Sequence, residues 1–337
     1  MTPMADRPLD FGDPAAEYAA VRTRAGLVDR GDWGVVELTG RDRVTFLHAL
    51  VSNDVKSLAP GQGCAATLLD VHGRVQVMLD LLALEDRLLL LLPPETTRRM
   101  LEALDHYLFS EKVVFTDLSA ETRLLLVAGP EAPAVVERAA RARPPAAGWS
   151  HVAGAVDGVA VRLVRGAGET GEAEVWVLAP AAEGERAKDA LVAAGARPVG
   201  STALESLRIE AGTPVLGRDV DDTVLLPEIP SASLVSHTKG CYPGQEVVVR
   251  IRDRGHVNRH LMGLVVDGDA VPAPGAELVA DGAAVGRVTS ATRSLGLGRP
   301  IALAFVRRPH AEPGTAVGVR IGETTVPARV AALPFTR

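Results

Sequence analysis

The chain has 337 residues, of which 47% are apolar and 23% charged, with 36 basic and 42 acidic side chains giving a formal charge of −6. That is apolar material for about two or three cored domains and an ordinary charge content for a soluble globular protein. The acidic balance argues against a protein that coats nucleic acid, and two cysteines exclude a disulfide scaffold or a self-contained four-cysteine zinc or iron–sulfur site.

No apolar stretch follows residues 1–7, so no signal peptide is expected. The densest apolar run, 88–92, stops at Pro93-Pro94 and is far too short to span a membrane. A soluble, cytoplasmic protein is expected. Only four of the basic residues are lysines (Lys56, Lys112, Lys188 and Lys239), so each marks a position where the default arginine was not used.

In chain order, residues 14–25 read as a helix between Pro14 and Gly26. A short strand at 35–38 precedes an amphipathic helix over 41–51, where Val44, Leu47, Leu50 and Val51 recur at helical spacing. The runs 75–84 and 87–92, joined at Glu85-Asp86, predict an antiparallel hairpin, with Cys64 entering an apolar strand before it. A helix over 95–108, a strand at 112–116, and a strand at 123–128 opening a strand–helix passage come next. Strands at 159–164 and 174–179 and helices at 184–194 and 201–211 complete this part. Hairpins mixed with helices predict α+β layers rather than a doubly wound parallel sheet. After Arg259, short β-type runs between Pro- and Gly-rich turns predict a small all-β domain of about 75 residues.

Two motifs invite a chemical reading. Residues 166–171, GAGETG, match a dinucleotide fingerprint, but that mechanism needs a helix N-terminus next, and the following residues 172–177 read as a strand. A glycine-rich hairpin is the better account. Residues 239–246, KGCYPGQE, present the ammonium of Lys239, the thiol of Cys241, the phenol of Tyr242, the amide of Gln245 and the carboxylate of Glu246 around a Pro243-Gly244 turn. Lys239 and free loop N–H groups could activate Cys241, or the cysteine could be a packed structural thiol; the local sequence leaves both open. The turn is expected to feed a strand over 247–251, which would set Arg250, Arg252 and Arg254 on one face, to hold anions or simply to meet solvent. His256 and His260 lack the company that a metal site requires.

The motif KGCYPGQE, with Arg250-Ile251 and Arg254-Gly255, resembles the YgfZ branch of the folate-binding aminomethyltransferase (glycine-cleavage T-protein) superfamily. So do LRIEAGTP at 207–214, Leu226-Pro227-Glu228, Gly26-Leu27-Val28-Asp29, SNDV at 52–55, LDVHGRV at 69–75 and VGRVTS at 285–290. The resemblance implies a three-lobed T-protein-like ring. Two interleaved α/β lobes over 1–258 would bind folate in a central channel, followed by a small β-barrel over 259–337. It places Glu174 where the T-protein's pterin-binding carboxylate stands, since the pterin 2-amino and N3–H donors make a fork for two acceptor oxygens. Arg208, Tyr242, Gln245, Glu246 and Arg250 complete the implied folate set, with Cys241 and Lys239 as the catalytic pair.

The T-protein's aspartate pair is replaced by Val77 and Met78, Asp80 comes two residues later on the strand face of Met78, and Pro93 stands for a folate-contacting asparagine. The expected function is therefore a tetrahydrofolate-binding accessory protein, with tetrahydrofolate or a one-carbon derivative as cofactor. It would support iron–sulfur cluster assembly or repair and, through it, tRNA-modifying enzymes. Its partners would be folate and iron–sulfur client or assembly proteins, with no membrane, no direct nucleic-acid binding and a monomeric state. T-protein activity, the tetrahydrofolate-dependent release of ammonia from an aminomethyl-lipoyl carrier, is not expected. The alternative is a folate-dependent one-carbon (aminomethyl) transferase acting on a small amine, with Asp80 in place of the missing carboxylate; a folate-binding regulator is the third reading.

Overall fold

The structure, a computed structural model, describes residues 7–166 and 168–336. Most of the N-terminal segment read for a signal peptide, and Ala167 of the glycine run, lie outside the described residues. The molecule is α+β, with two mixed α/β lobes and a closed barrel.

The first lobe is built on a five-stranded antiparallel sheet in the spatial order Gly63–Leu69, Val75–Ala83, Leu88–Leu92, Gly34–Thr39, Val114–Asp117. Its leucine run does not alternate because both faces are covered: Leu88, Leu90 and Leu92 enter one core, Leu91 another. Val75–Ala83 does alternate. Val77, Leu79 and Leu81 are buried in the lobe's core, while Gln76, Met78 and Asp80 are half-buried on the opposite face.

The second lobe is a six-stranded sheet in the order Arg197–Pro198, Gly26–Asp29, Thr122–Ala128, Glu174–Pro180, Val159–Arg165, His151–Val156, with only the first pair parallel. Gly26–Asp29 thus belongs to a sheet made mostly of residues beyond 122, so the two lobes are interleaved in sequence. The six strands from Arg259–Val266 to Thr324–Ala331 close a barrel.

A buried carboxylate ties the pieces together. Glu210, on the Ser201–Ala211 helix, accepts hydrogen bonds from Tyr18 Oη (2.6 Å), Arg22 Nη2 (2.7 Å), Ser206 Oγ (2.9 Å) and Ser294 Oγ (2.6 Å). Burial opposes its ionisation, but these donors hold the carboxyl below its usual range. Glu210→Ala leaves Arg22 and three hydroxyls without this acceptor, and chemical denaturation is expected to show a loss of about 3 kcal/mol.

The expected strand over 247–251 is a helix, Gln245–Arg254. Three consecutive valines suggest a strand locally, but Gly244 starts a helix at φ +77°, packed so closely on the Asp70 carbonyl and Gly73 that a Cβ there would come within 2.4 Å of the former. Helical geometry separates the three arginines. Arg250 and Arg254 lie four residues apart on one face, and Arg252 turns away to pair with Asp253. Among the described residues no helix is long and apolar enough to cross a membrane.

Candidate active site

A cavity of about 310 Å³ lies between the two lobes. The chain has three tryptophans, and all of them (Trp33, Trp149 and Trp176) line it. Trp33 and Trp176 have ring centroids 4.6 Å apart. The Arg30 guanidinium sits 5.0 Å from one ring and 5.6 Å from the other, and its Nη1 donates to Glu169 Oε2 at 2.5 Å.

Two carboxylates in the lining are set apart by burial. Glu174 opens the strand Glu174–Pro180 and is 1% exposed; its oxygens accept from Thr170 N (2.7 Å), Thr170 Oγ1 (2.8 Å) and Gly168 N (3.1 Å). Burial, then the charge of Glu169, push its carboxyl up to about 7 against those donors. On either side of the glycine run Val175 pairs antiparallel with Arg165, and a strand rather than a helix follows, so among the described residues no helix N-terminus is there to cradle a phosphate. A Cβ at Gly166 would come within 2.8 Å of both Glu174 and Trp176, so the glycine lets the loop close over the carboxylate.

Asp80 faces the cavity with Met78, as the strand alternation requires. Its Oδ1 accepts from Trp149 Nε1 at 2.8 Å. Burial pushes its carboxyl up to about 6, the indole donor opposes this, and Glu169 adds to it. Val77 is wholly buried on the opposite face, so Asp80 is the carboxylate this strand offers. Pro93 also reaches the lining, directly after Leu88–Leu92.

Of the expected folate and catalytic sets the structure brings Glu174 alone to this cavity, where it joins Asp80, the carboxylate of the alternative reading. Arg208 is 2% exposed and braces its helix, pairing with Glu205 and, at 2.8 Å, with Asp219, which accepts in turn from Thr289 of the barrel. Lys239 is buried, donates to the carbonyls of His48 and Val51, and lies 4.9 Å from the Tyr242 ring centroid. Desolvation lowers its amine to about 8. Tyr242 packs in a core with Leu69 and Val248. Gln245 is half-buried; Cys241, Glu246 and Arg250 are exposed. No cluster of three metal-ligating side chains occurs among the described residues.

The two thiols differ in accessibility. Cys64 is half-buried and pushed up to about 12 by burial and then by Asp80, whereas Cys241 is open to solvent. A thiol reagent at pH 7.5 is expected to modify Cys241 at least about tenfold faster than Cys64 in the native protein, the difference vanishing in denaturant.

The family model described as "GCVT N-terminal domain" matches residues 5–239, and "Glycine cleavage T-protein C-terminal barrel domain" matches 259–336. The chain belongs to the glycine-cleavage T-protein (aminomethyltransferase) family. It is 31% identical to the aminomethyltransferase of Streptomyces avermitilis over 98% of this chain and 92% of that protein. With the aminomethyltransferase of Rubrobacter xylanophilus the identity is 33%, over 98% and 88% respectively. The crystal structure of glycine cleavage system aminomethyltransferase T from Bartonella henselae shares the fold, with a TM-score of 0.88 and 24% identity over 98% of this chain and 91% of that one.

These similarities overturn several expectations. The chain is a T-protein family member rather than one of the YgfZ-type accessory branch. Iron–sulfur assembly, its client proteins and tRNA modification lose their support, and T-protein-like activity is plausible rather than excluded. Membership of the aminomethyltransferase family is consistent with folate binding in general. The segments that carried the resemblance run the length of the chain and mark the superfamily, with the loop at 239–246 as the strongest match. The aminomethyltransferase matches, which also run the length of the chain, decide against the accessory branch.

Proposed function

We propose that the protein is a folate-dependent aminomethyltransferase, with the cavity between the lobes as its site and Asp80 as its reacting carboxylate. The observation that carries this reading is the placement of Asp80. It lies on the cavity face of Val75–Ala83, with Oδ1 held by Trp149. Moving an aminomethyl group breaks its carbon–heteroatom bond and leaves positive, iminium-like charge on the carbon. A carboxylate held in place by a hydrogen bond stabilises that charge without reorganising. Val77 and Met78 do not remove the chemistry, because a carboxylate is supplied two residues further along the same face.

The lining fits a flat, donor-rich heterocycle. Trp33 and Trp176 supply aromatic surface, and the buried carboxylate of Glu174 matches the donor fork of a pterin. Tetrahydrofolate, when bound, supplies the nucleophilic nitrogens that accept the one-carbon unit. Glu174 would orient it. Cys241 and Lys239, with Arg208, Tyr242, Gln245, Glu246 and Arg250, would support this site from outside the cavity, Lys239 by pinning the end of the Arg43–Leu50 helix. We also infer a domain division between 258 and 259, where the barrel begins.

Occupancy is measurable without turnover. All tryptophan emission originates at the cavity wall, so tetrahydrofolate is expected to quench most of the intrinsic fluorescence, saturably and after inner-filter correction. Unaltered emission alongside calorimetric binding would put the folate elsewhere.

A further inference from the structure

Trp149 is held as packing alone would not require. It precedes the strand His151–Val156 with φ of +55°, a backbone region that bulky L-residues avoid. Its own N–H donates to the Arg165 carbonyl at 2.8 Å, and the next two residues are fixed by Ser150 N to Ala147 O (3.1 Å) and His151 N to Gly61 O (2.8 Å). Its carbonyl lies against Gly63, where a Cβ would approach it to 2.9 Å, so no larger residue fits there. The indole so placed reaches from the second lobe to a strand of the first and donates to Asp80 Oδ1. Among the described residues none donates a hydrogen bond to Asp80 Oδ2, which lies on the cavity side.

We propose that Trp149 is the positioning residue for Asp80, its indole N–H fixing which carboxylate oxygen meets the substrate and favouring the charged form. The strained backbone is the means, because it aims an indole N–H across the lobe boundary. The catalytic meaning of this inference rests on the transferase reading; the contact itself does not. The other titratable groups around Asp80 are Glu169 with its partner Arg30, Glu174 across the cavity, and Cys64 on the adjoining strand. None of them donates a hydrogen bond to Asp80, so among the described residues the indole is the one donor that discriminates between its two oxygens.

Three tryptophans give three indole N–H resonances in the ligand-free protein. One of them is expected to titrate with a midpoint near 6, the value expected for Asp80, and to become flat between pH 5 and 8 in Asp80→Asn. In Trp149→Phe that resonance disappears, and the acid limb of kcat moves up by about one pH unit. kcat falls about tenfold at pH 7 with the KM for tetrahydrofolate unchanged, and the substitution has no further effect in the Asp80→Asn background. Three indole resonances that are all flat in the wild type would overturn the proposal. So would a Trp149→Phe loss that persists in full when Asp80 is already Asn, since that is how a merely structural residue behaves. Normal indole titration in a protein that releases no ammonia would sink the transferase reading and leave the positioning contact standing.

Discussion

Asp80→Asn is expected to lower aminomethyl-transfer turnover by about a hundred- to a thousandfold while leaving the protein folded and its affinity for tetrahydrofolate nearly unchanged. The amide keeps the shape and can still accept from Trp149 Nε1, so what is lost is the negative charge beside the reacting carbon. The sign of the pH dependence follows from the raised carboxyl. With Asp80 pushed up to about 6, the wild type loses the ionised form, and with it activity, as pH falls through 6. Asp80→Asn should show no such limb in its residual rate. Stability moves the other way. A carboxylate whose folded pKa lies above its unfolded value contributes stability at low pH that is lost as pH rises through the folded value, so the variant should equal or exceed the wild type in melting temperature above pH 6.

The second large effect is expected at Glu174. Its carboxyl is pushed from an ordinary 4.5 up to about 7, so the stability present below 4.5 is lost as pH rises through 7. Ionising it in the folded state costs on the order of 3 kcal/mol by pH 8. Glu174→Gln removes that cost. Its amide oxygen can still accept from Thr170, so the variant should melt at a higher temperature than the wild type at pH 8 and match it at pH 4.5. The same change should weaken tetrahydrofolate binding by about 1–3 kcal/mol, roughly five- to 150-fold, because a charged acceptor facing the pterin donors becomes half donor. A variant that gains stability and loses ligand is the signature of a residue kept for binding. Calorimetry with unaltered affinity would remove Glu174 from the pterin end of the site.

The elements with strong periodicity were legible in the sequence. The 75–92 hairpin, the helix ending at Gly212 and the β-rich C-terminal part all have local signals that agree with their tertiary setting. The Gln245–Arg254 helix was not legible, because its start is decided by contact between Gly244 and the Asp70–Gly73 turn, over 170 residues away, against the strand preference of three valines. The site was half legible. Glu174 could be placed from resemblance, and Asp80 from strand parity with Met78. The dense polar loop around Cys241 drew attention by composition, yet its lysine reaches back to the carbonyls that end the Arg43–Leu50 helix and its tyrosine packs in a core. The three tryptophans carried a signal in their scarcity alone. Their convergence depends on how the two lobes interleave, which no local window contains.

Folate-dependent aminomethyl transfer in this cavity is read out as ammonia release. Purified protein is mixed with an aminomethyl-lipoyl carrier, with and without tetrahydrofolate. Multiple-turnover release of ammonia that requires both the protein and the folate, and that collapses in Asp80→Asn, is the expected result. Saturating tetrahydrofolate binding with no ammonia released above the protein-free rate would mean that the cavity does not catalyse aminomethyl transfer.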